Sequence, residues 1–147
     1  MILNDKQIKE RSINNKLIKP FLEKQLTPNG YDVTIEEVEP FSSSYIVPPK
    51  STFIVLTKET LNMPPNLVGQ MKIKTKWARK GLILSDGLIE AGFRGQLNLC
   101  FYNASDHIVK IGKLPIVQVY FSEIETVEKQ YEERSGNYQD LHTIMRV

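Results

Sequence analysis

From Tyr31 onward the chain reads with a period of two, and turn-forming residues break that pattern every few positions. Tyr31, Val33 and Ile35 alternate with Asp32, Thr34 and Glu36, as a strand does when one face meets a core and the other meets water. The same style predicts strands over Ser44 to Val47, Thr52 to Thr57, Leu67 to Lys74, Gly81 to Leu84, Gln96 to Tyr102, His107 to Ile111 and Ile116 to Ser122. Between them lie Pro28-Asn29-Gly30, Pro48-Pro49, Pro64-Pro65, Ser85-Asp86-Gly87, Ala91-Gly92 and Asn103-Ala104-Ser105-Asp106, all turn signals. Short strands punctuated in this way predict an all-β sandwich or barrel.

Asn4, three residues before Gln7, predicts a capping box and a short N-terminal helix that carries Ile8 inward and ends near Asn14-Asn15. After Glu123 the alternation fades and polar residues take over. The expected organisation is one β domain over residues 1–130 and a C-terminal arm over 131–147 that serves as a mobile lid.

With 147 residues, 41% of them hydrophobic, the chain can build one core without metal or disulfide staples. Nineteen Lys plus Arg against 17 Asp plus Glu leave a net charge of +2, too little for a nucleic-acid coat protein or a polybasic membrane binder. One Cys and two His argue against a disulfide framework or a structural zinc site, so no protein-held metal is expected. The opening Met1-Ile2-Leu3-Asn4-Asp5-Lys6 lacks a signal-peptide core, and no apolar run approaches the roughly 18 residues of a membrane span. The expectation is a soluble cytoplasmic protein with no membrane and no nucleic-acid partner.

The densest charge is Lys72, Lys74 and Lys76, which an extended strand would project from one face, followed at once by Arg79 and Lys80. A solvated strand edge that uses lysines against aggregation accounts for such a stripe. Thr75, a hydroxyl donor among the cations, favours a polyphosphate instead.

These residues carry a resemblance. Gly69-Gln70-Met71-Lys72-Ile73-Lys74-Thr75-Lys76-Trp77-Ala78-Arg79-Lys80-Gly81 resembles the phosphate-binding motif of the trimeric dUTPase and dCTP deaminase superfamily. Gln25 to Asp32, Gly87 to Gly95, Leu99 to Ser105 and Ile116 to Phe121 are similar to its other motifs and follow in the right order. The opening residues and Gly136-Asn137-Tyr138-Gln139 are most similar to the deaminase-like branch with its archaeal dUTPases.

The resemblance implies a homotrimer of distorted β-barrels with active sites between subunits, and Mg²⁺ arriving on the triphosphate. It assigns phosphate contacts to Lys74, Thr75, Lys76 and Arg79, and reading of the pyrimidine to the hairpin through Gly87 and Ile89. Phe93 is the ring beneath the deoxyribose, and Tyr138 and Gln139 belong to the closing tail. Glu90 occupies the place of the hairpin Asp that orients the attacking water, and Gln118 orders water or phosphate. Phe93 as core filler and Gln118 as a satisfied buried amide are the competing readings.

Several positions depart from the family pattern. Glu90 is one methylene longer than the usual Asp, and a shift of about 1 Å can cost on the order of 100-fold in rate. Deaminases carry a Glu in the strand after the hairpin, where this chain has Cys100, which removes their general acid/base. Thr75 and Lys76 replace two serines, Trp77 a leucine, and Asp140-Leu141-His142 the usual glycine, serine and threonine of the tail. His107 and His142 lack metal-ligand spacing. The expected function is hydrolysis of dUTP to dUMP and pyrophosphate. A dCTP deaminase or a bifunctional dCTP deaminase and dUTPase, a nucleotide-binding regulator without catalysis and a nucleic-acid binder with a basic stripe are the alternatives.

Overall fold

The computed structural model describes residues 1–40, 46–112 and 114–145. Helix α1 (Asp5–Asn15) opens with the expected capping box: the Asn4 side chain accepts from Gln7 N, and the Gln7 side chain accepts from Asn4 N. It buries Ile8 and stops at Lys16, which adopts a left-handed conformation. A 3-10 turn spans Glu23–Gln25. The strands are β1 (Ile18–Lys19), β2 (Leu26–Thr27), β3 (Gly30–Val33), β4 (Ile35–Glu39), β5 (Ile46–Val47), β6 (Thr52–Asn62), β7 (Leu67–Ile73), β8 (Leu82–Ser85), β9 (Arg94–Asn103), β10 (Val109–Lys110) and β11 (Val117–Glu123). Two four-residue helices complete the set, α2 (Thr75–Ala78) and α3 (Tyr131–Arg134).

All ladders are antiparallel. One sheet runs β1-β6-β9-β8, with β4 on the same edge of β6 as β1; a second runs β2-β3-β11-β7, and β5 pairs with β10. The sheets curl around a core whose fully buried large side chains include Tyr31, Phe53, Phe121, Leu61 and Leu99. Phe53 and Phe101 stack at 5.0 Å between centroids. This is an all-β, barrel-like fold with one substantial helix. Among the described residues, no helix is long and apolar enough to cross a membrane.

The strand expected through Tyr31, Val33 and Ile35 divides at Thr34 into β3 and β4, which join different sheets. Glu59 causes the break. Its carboxylate, 1% exposed, accepts from Thr34 N (2.8 Å), Thr34 Oγ1 (2.7 Å) and Gln25 Nε2 (3.0 Å). Thr34 N is thereby withdrawn from any ladder. Glu59 points inward in the same phase as Phe53, Val55 and Leu61, and beside it β6 shifts register against β9 between Leu56 and Thr60, where Leu97 N donates to Thr57 Oγ1. The same irregular stretch hid the second half of β6: Lys58, Glu59 and Thr60 ended the sequence pattern at Thr57, yet the strand continues to Asn62. Burial pushes the Tyr31 phenol up to about 12, opposed by Leu22 N donating to its oxygen and reinforced by nearby Glu59.

Three smaller differences follow from local chemistry. Strand β7 ends at Ile73 rather than Lys74 because Lys74 is the cap of α2, and its N donates to Ile116 O. β8 lies one residue later than expected, and the His107 to Ile111 segment is regular only over β10. Ser44 and Tyr45 of the Ser44 to Val47 expectation lie outside the described residues, while β5 covers the rest.

Candidate active site

The hairpin between β8 and β9 forms one wall of an open cleft of about 620 Å³. Gly87, Ile89, Glu90 and Phe93 line it, with Cys100 from β9 and Tyr138 from the arm. Hairpin geometry follows from Gly69, whose N donates to Ile89 O and whose carbonyl accepts from Ile89 N, at 2.8 and 2.9 Å. A Cβ on Gly69 would lie 3.0 Å from the Ile89 side chain, so the residue must be small for β7 to hold the hairpin this closely. Gly92 turns the hairpin with φ of 86°. Ile89 and Phe93 are buried while Glu90 stays exposed at the rim.

The arm packs on this same hairpin. Tyr131 N donates to Ala91 O (2.9 Å), Gln139 Nε2 donates to Gly92 O (3.0 Å), and Arg94 N donates to Gln139 Oε1 (2.8 Å). From Arg94 onward, alternate residues of β9 hold residues of the arm in order along the strand. Arg94 grips Asp140 with Nε and Nη2 (2.5 and 2.7 Å), Gln96 Oε1 faces His142 Nδ1 (3.0 Å), and Asn98 meets Thr143 O (3.3 Å) and Met145 N (3.0 Å). Period two along the strand places these three side chains on one face. The substituted tail residues Asp140, Leu141 and His142 thus have partners on their own chain, Leu141 by a parallel bridge to Gly95.

The Arg94 guanidinium, hydrogen-bonded to Asp140, holds that carboxyl below its ordinary value, and Asp140 in turn raises Arg94. A carboxyl with a depressed value contributes its stabilisation above the ordinary carboxylate range and loses it as pH falls through the depressed value. Acidification from pH 7 to below the ordinary carboxylate range, or added salt at pH 7, is therefore expected to loosen residues 138–145, as is Asp140→Asn. Faster amide exchange of this segment with an unchanged β core is the signature. A segment whose exchange follows the core at every pH would refute it.

The phosphate-motif residues lie elsewhere. Lys74, Thr75, Lys76, Arg79 and Gln118 do not line the cleft. The expected one-sided stripe breaks because Lys72 lies on β7 and Lys76 on α2. Lys72 sits 3.8 Å from Asp86, and Lys74 pairs with Asp32. Trp77 anchors α2, buried with Nε1 donating to Pro115 O (3.1 Å). Lys80 stands 4.8 Å and Lys76 5.5 Å from the centre of its ring, within cation–π range. Thr75 and Arg79 are exposed. Gln118 is opposite Lys72 on one side and Asp32 on the other, and its amide donates to Thr27 Oγ1.

Asp32, outside the cleft lining, has one oxygen, Oδ1, buried without a hydrogen-bond partner beside the Lys74 pair. The sequence did not single out Tyr131, Gln96 and Asn98, which line the cleft. The outward phase of Arg94, Gln96 and Asn98 was legible, but nothing local says that an arm more than 40 residues later would lie on it. Among the described residues, no group of three or more His, Cys, Asp or Glu is arranged to hold a metal.

The comparisons agree with this architecture. A family model described as dCTP deaminase-like matches residues 35–124. A dCTP deaminase of Pyrococcus abyssi is 32% identical over 155 residues, covering 99% of this chain and 97% of that protein. A "Probable deoxyuridine 5'-triphosphate nucleotidohydrolase" of Sulfolobus islandicus rod-shaped virus 1 is 29% identical and covers 95% of this chain and 93% of its own. The crystal structure of 2'-deoxycytidine 5'-triphosphate deaminase from Agrobacterium tumefaciens superposes with a TM-score of 0.71 at 16% identity over 84% of this chain. The chain spans about half, 48%, of that deaminase. A near full-length relative above 30% identity, a family match over most of the barrel and a shared fold lead to one conclusion: the chain belongs to the dCTP deaminase-like family of the dUTPase and dCTP deaminase superfamily.

Proposed function

We propose that the protein hydrolyses dUTP to dUMP and pyrophosphate at sites completed between copies of a homotrimer. The observation that carries this reading is Cys100. It faces the cleft at the strand position where the deaminase pattern has a glutamate, and a thiol cannot replace a carboxylate in shuttling the protons that ammonia release requires. Two carboxylates line the hairpin side of the cleft, Asp86, 3.8 Å from Lys72, and Glu90 at the rim, and Glu90 is the one that matches the hairpin carboxylate of the family motif.

In this reading the hairpin backbone at Gly87 and Ile89 reads the base, Phe93 supports the sugar, and Glu90 takes a proton from water as its oxygen bonds to the α-phosphorus. The bond to the β-phosphate oxygen breaks and pyrophosphate leaves. Lys74, Thr75, Lys76, Arg79 and Gln118 of a second copy would complete the site, which accounts for their place outside this chain's cleft. An exposed apolar pair on the outer face of the β8–β9 ladder, Ile83 opposite Tyr102, supports an assembly. In this reading the Mg²⁺ arrives on the triphosphate as part of the substrate. Light scattering should give about three times the 16.9 kDa chain mass; monomer alone at micromolar concentration would reject the trimer.

dCTP deamination is the second reading, favoured by the name of the Pyrococcus relative. Incubation with dUTP, dCTP and dTTP plus Mg²⁺, measuring pyrophosphate and ammonia separately, decides between them. Pyrophosphate from dUTP alone supports hydrolysis, whereas ammonia from dCTP transfers the assignment to deamination. Tight binding with neither product identifies a regulator.

The phosphate site makes its own prediction. Arg79→Ala should weaken a non-hydrolysable dUTP analogue by about 1.5 to 3 kcal/mol, the range for a charge-assisted hydrogen bond. Lys80→Ala should cost much less, because the Lys80 ammonium already lies over Trp77. Calorimetric titration at fixed Mg²⁺ reads the difference; equal losses would mark a diffuse basic patch instead.

A further inference from the structure

Tyr131 joins the hairpin and the arm that form the candidate site. Its ring meets Phe93 edge to face, with centroids 5.7 Å apart at 73°. Its phenol oxygen accepts from Tyr138 N (2.9 Å), and its own N donates to the hairpin at Ala91 O (2.9 Å). Tyr131, Phe93 and Tyr138 all line the same cleft. One side chain therefore buttresses the hairpin ring with its own ring and holds the arm with its oxygen.

We infer that Tyr131 is a positioning residue for nucleotide selection, fixing the Phe93 ring beneath the sugar and docking Tyr138 of the arm over it. The inference rests on the nucleotide reading of this cleft and adds a residue that the family motifs did not single out. Two physical consequences separate the two functions of the side chain. An edge-to-face pair stabilises beyond simple burial by an amount that reaches about tenfold in an equilibrium, so without it Phe93 can tilt and admit a 2′-hydroxyl. A neutral hydrogen bond contributes a similar amount, so without it the arm docks less often and substrate leaves sooner.

Tyr131→Phe removes only the phenol, and Tyr131→Leu removes the aromatic edge as well. The ratio of kcat/KM for dUTP over UTP should fall about five- to tenfold in Tyr131→Leu and stay within about twofold of wild type in Tyr131→Phe. In Tyr131→Phe, KM for dUTP should rise about three- to tenfold with kcat within about twofold. If ammonia proves to be the product, dCTP and CTP give the same ratios. Thermal unfolding of each variant guards against a general loss of fold, and if Tyr131→Leu does not fold, the Tyr131→Phe split between KM and kcat carries the decision. A wild-type protein that selects dUTP while both variants keep its ratio and KM would overturn this inference alone. A wild type that neither binds nor turns over any of these nucleotides would overturn the nucleotide reading and this inference together.

Discussion

Glu90→Gln is expected to lower kcat on dUTP by a factor of about 10² to 10⁴ while leaving nucleotide affinity within a few-fold of wild type. The size follows from removing a positioned general base, and the split follows from its place. Glu90 lies exposed at the rim of the cleft, whereas Ile89 and Phe93 beside it are buried and held by the backbone. The amide keeps the side-chain shape and one acceptor oxygen, but it cannot take the proton. Glu90→Asp is the sharper companion. It restores the shorter carboxylate of the related hairpins and should keep or raise activity if the longer Glu is poorly placed, with a change of about 1 Å able to move the rate on the order of 100-fold. Single-turnover kinetics and equilibrium binding on the same preparations separate chemistry from affinity. A Glu90→Gln protein with kcat within about threefold of wild type would remove Glu90 from the mechanism.

The largest expected loss of stability lies away from the cleft. Glu59→Ala should destabilise the fold by about 3 to 5 kcal/mol, because three donors lose their acceptor at once and at least one, Thr34 N, is left without a ladder partner. Against a typical total of about 5 to 15 kcal/mol, this is a large fraction. Glu59→Gln should be intermediate, since its amide retains one oxygen but turns an NH₂ group toward donors. Urea unfolding followed by Trp77 fluorescence gives both values. A loss below about 1 kcal/mol for the alanine variant would show that water or a rearranged Gln25 replaces the carboxylate. Such a result would dissolve the account of why β3 and β4 part at Thr34.

The phosphate contrast between Arg79 and Lys80 and the acid release of the arm test two separate regions of the chain, which the proposed trimer would bring into one site. They share no residue with Glu59, so a stability defect there leaves them interpretable.

What the amino-acid sequence determined by itself is local. Alternation at Tyr31, Val33 and Ile35 and the Asn4–Gln7 capping box act over a few residues, where the period of the chain and the reach of one side chain are enough to settle strand or helix. The order of the motifs likewise identified the superfamily, because each motif is a contiguous stretch. The division at Thr34 was not legible, since the acceptor that withdraws its N–H is 25 positions away on Glu59. The extension of β6 through Lys58, Glu59 and Thr60 was hidden for a related reason: the inward position that an apolar residue would mark is held by Glu59, whose buried carboxylate is satisfied by donors from Gln25 and Thr34. Lys72, Lys74 and Lys76 alternate perfectly in sequence, yet the buried Trp77 and its bond to Pro115 draw Thr75–Ala78 into a helical turn and scatter the stripe. The cleft itself depended most on tertiary contact. Its hairpin is placed by Gly69, its arm by Arg94, Gln96 and Asn98, and its ring platform by Tyr131, pairs separated by 20 to nearly 50 positions that only the curled sheets bring within bonding distance.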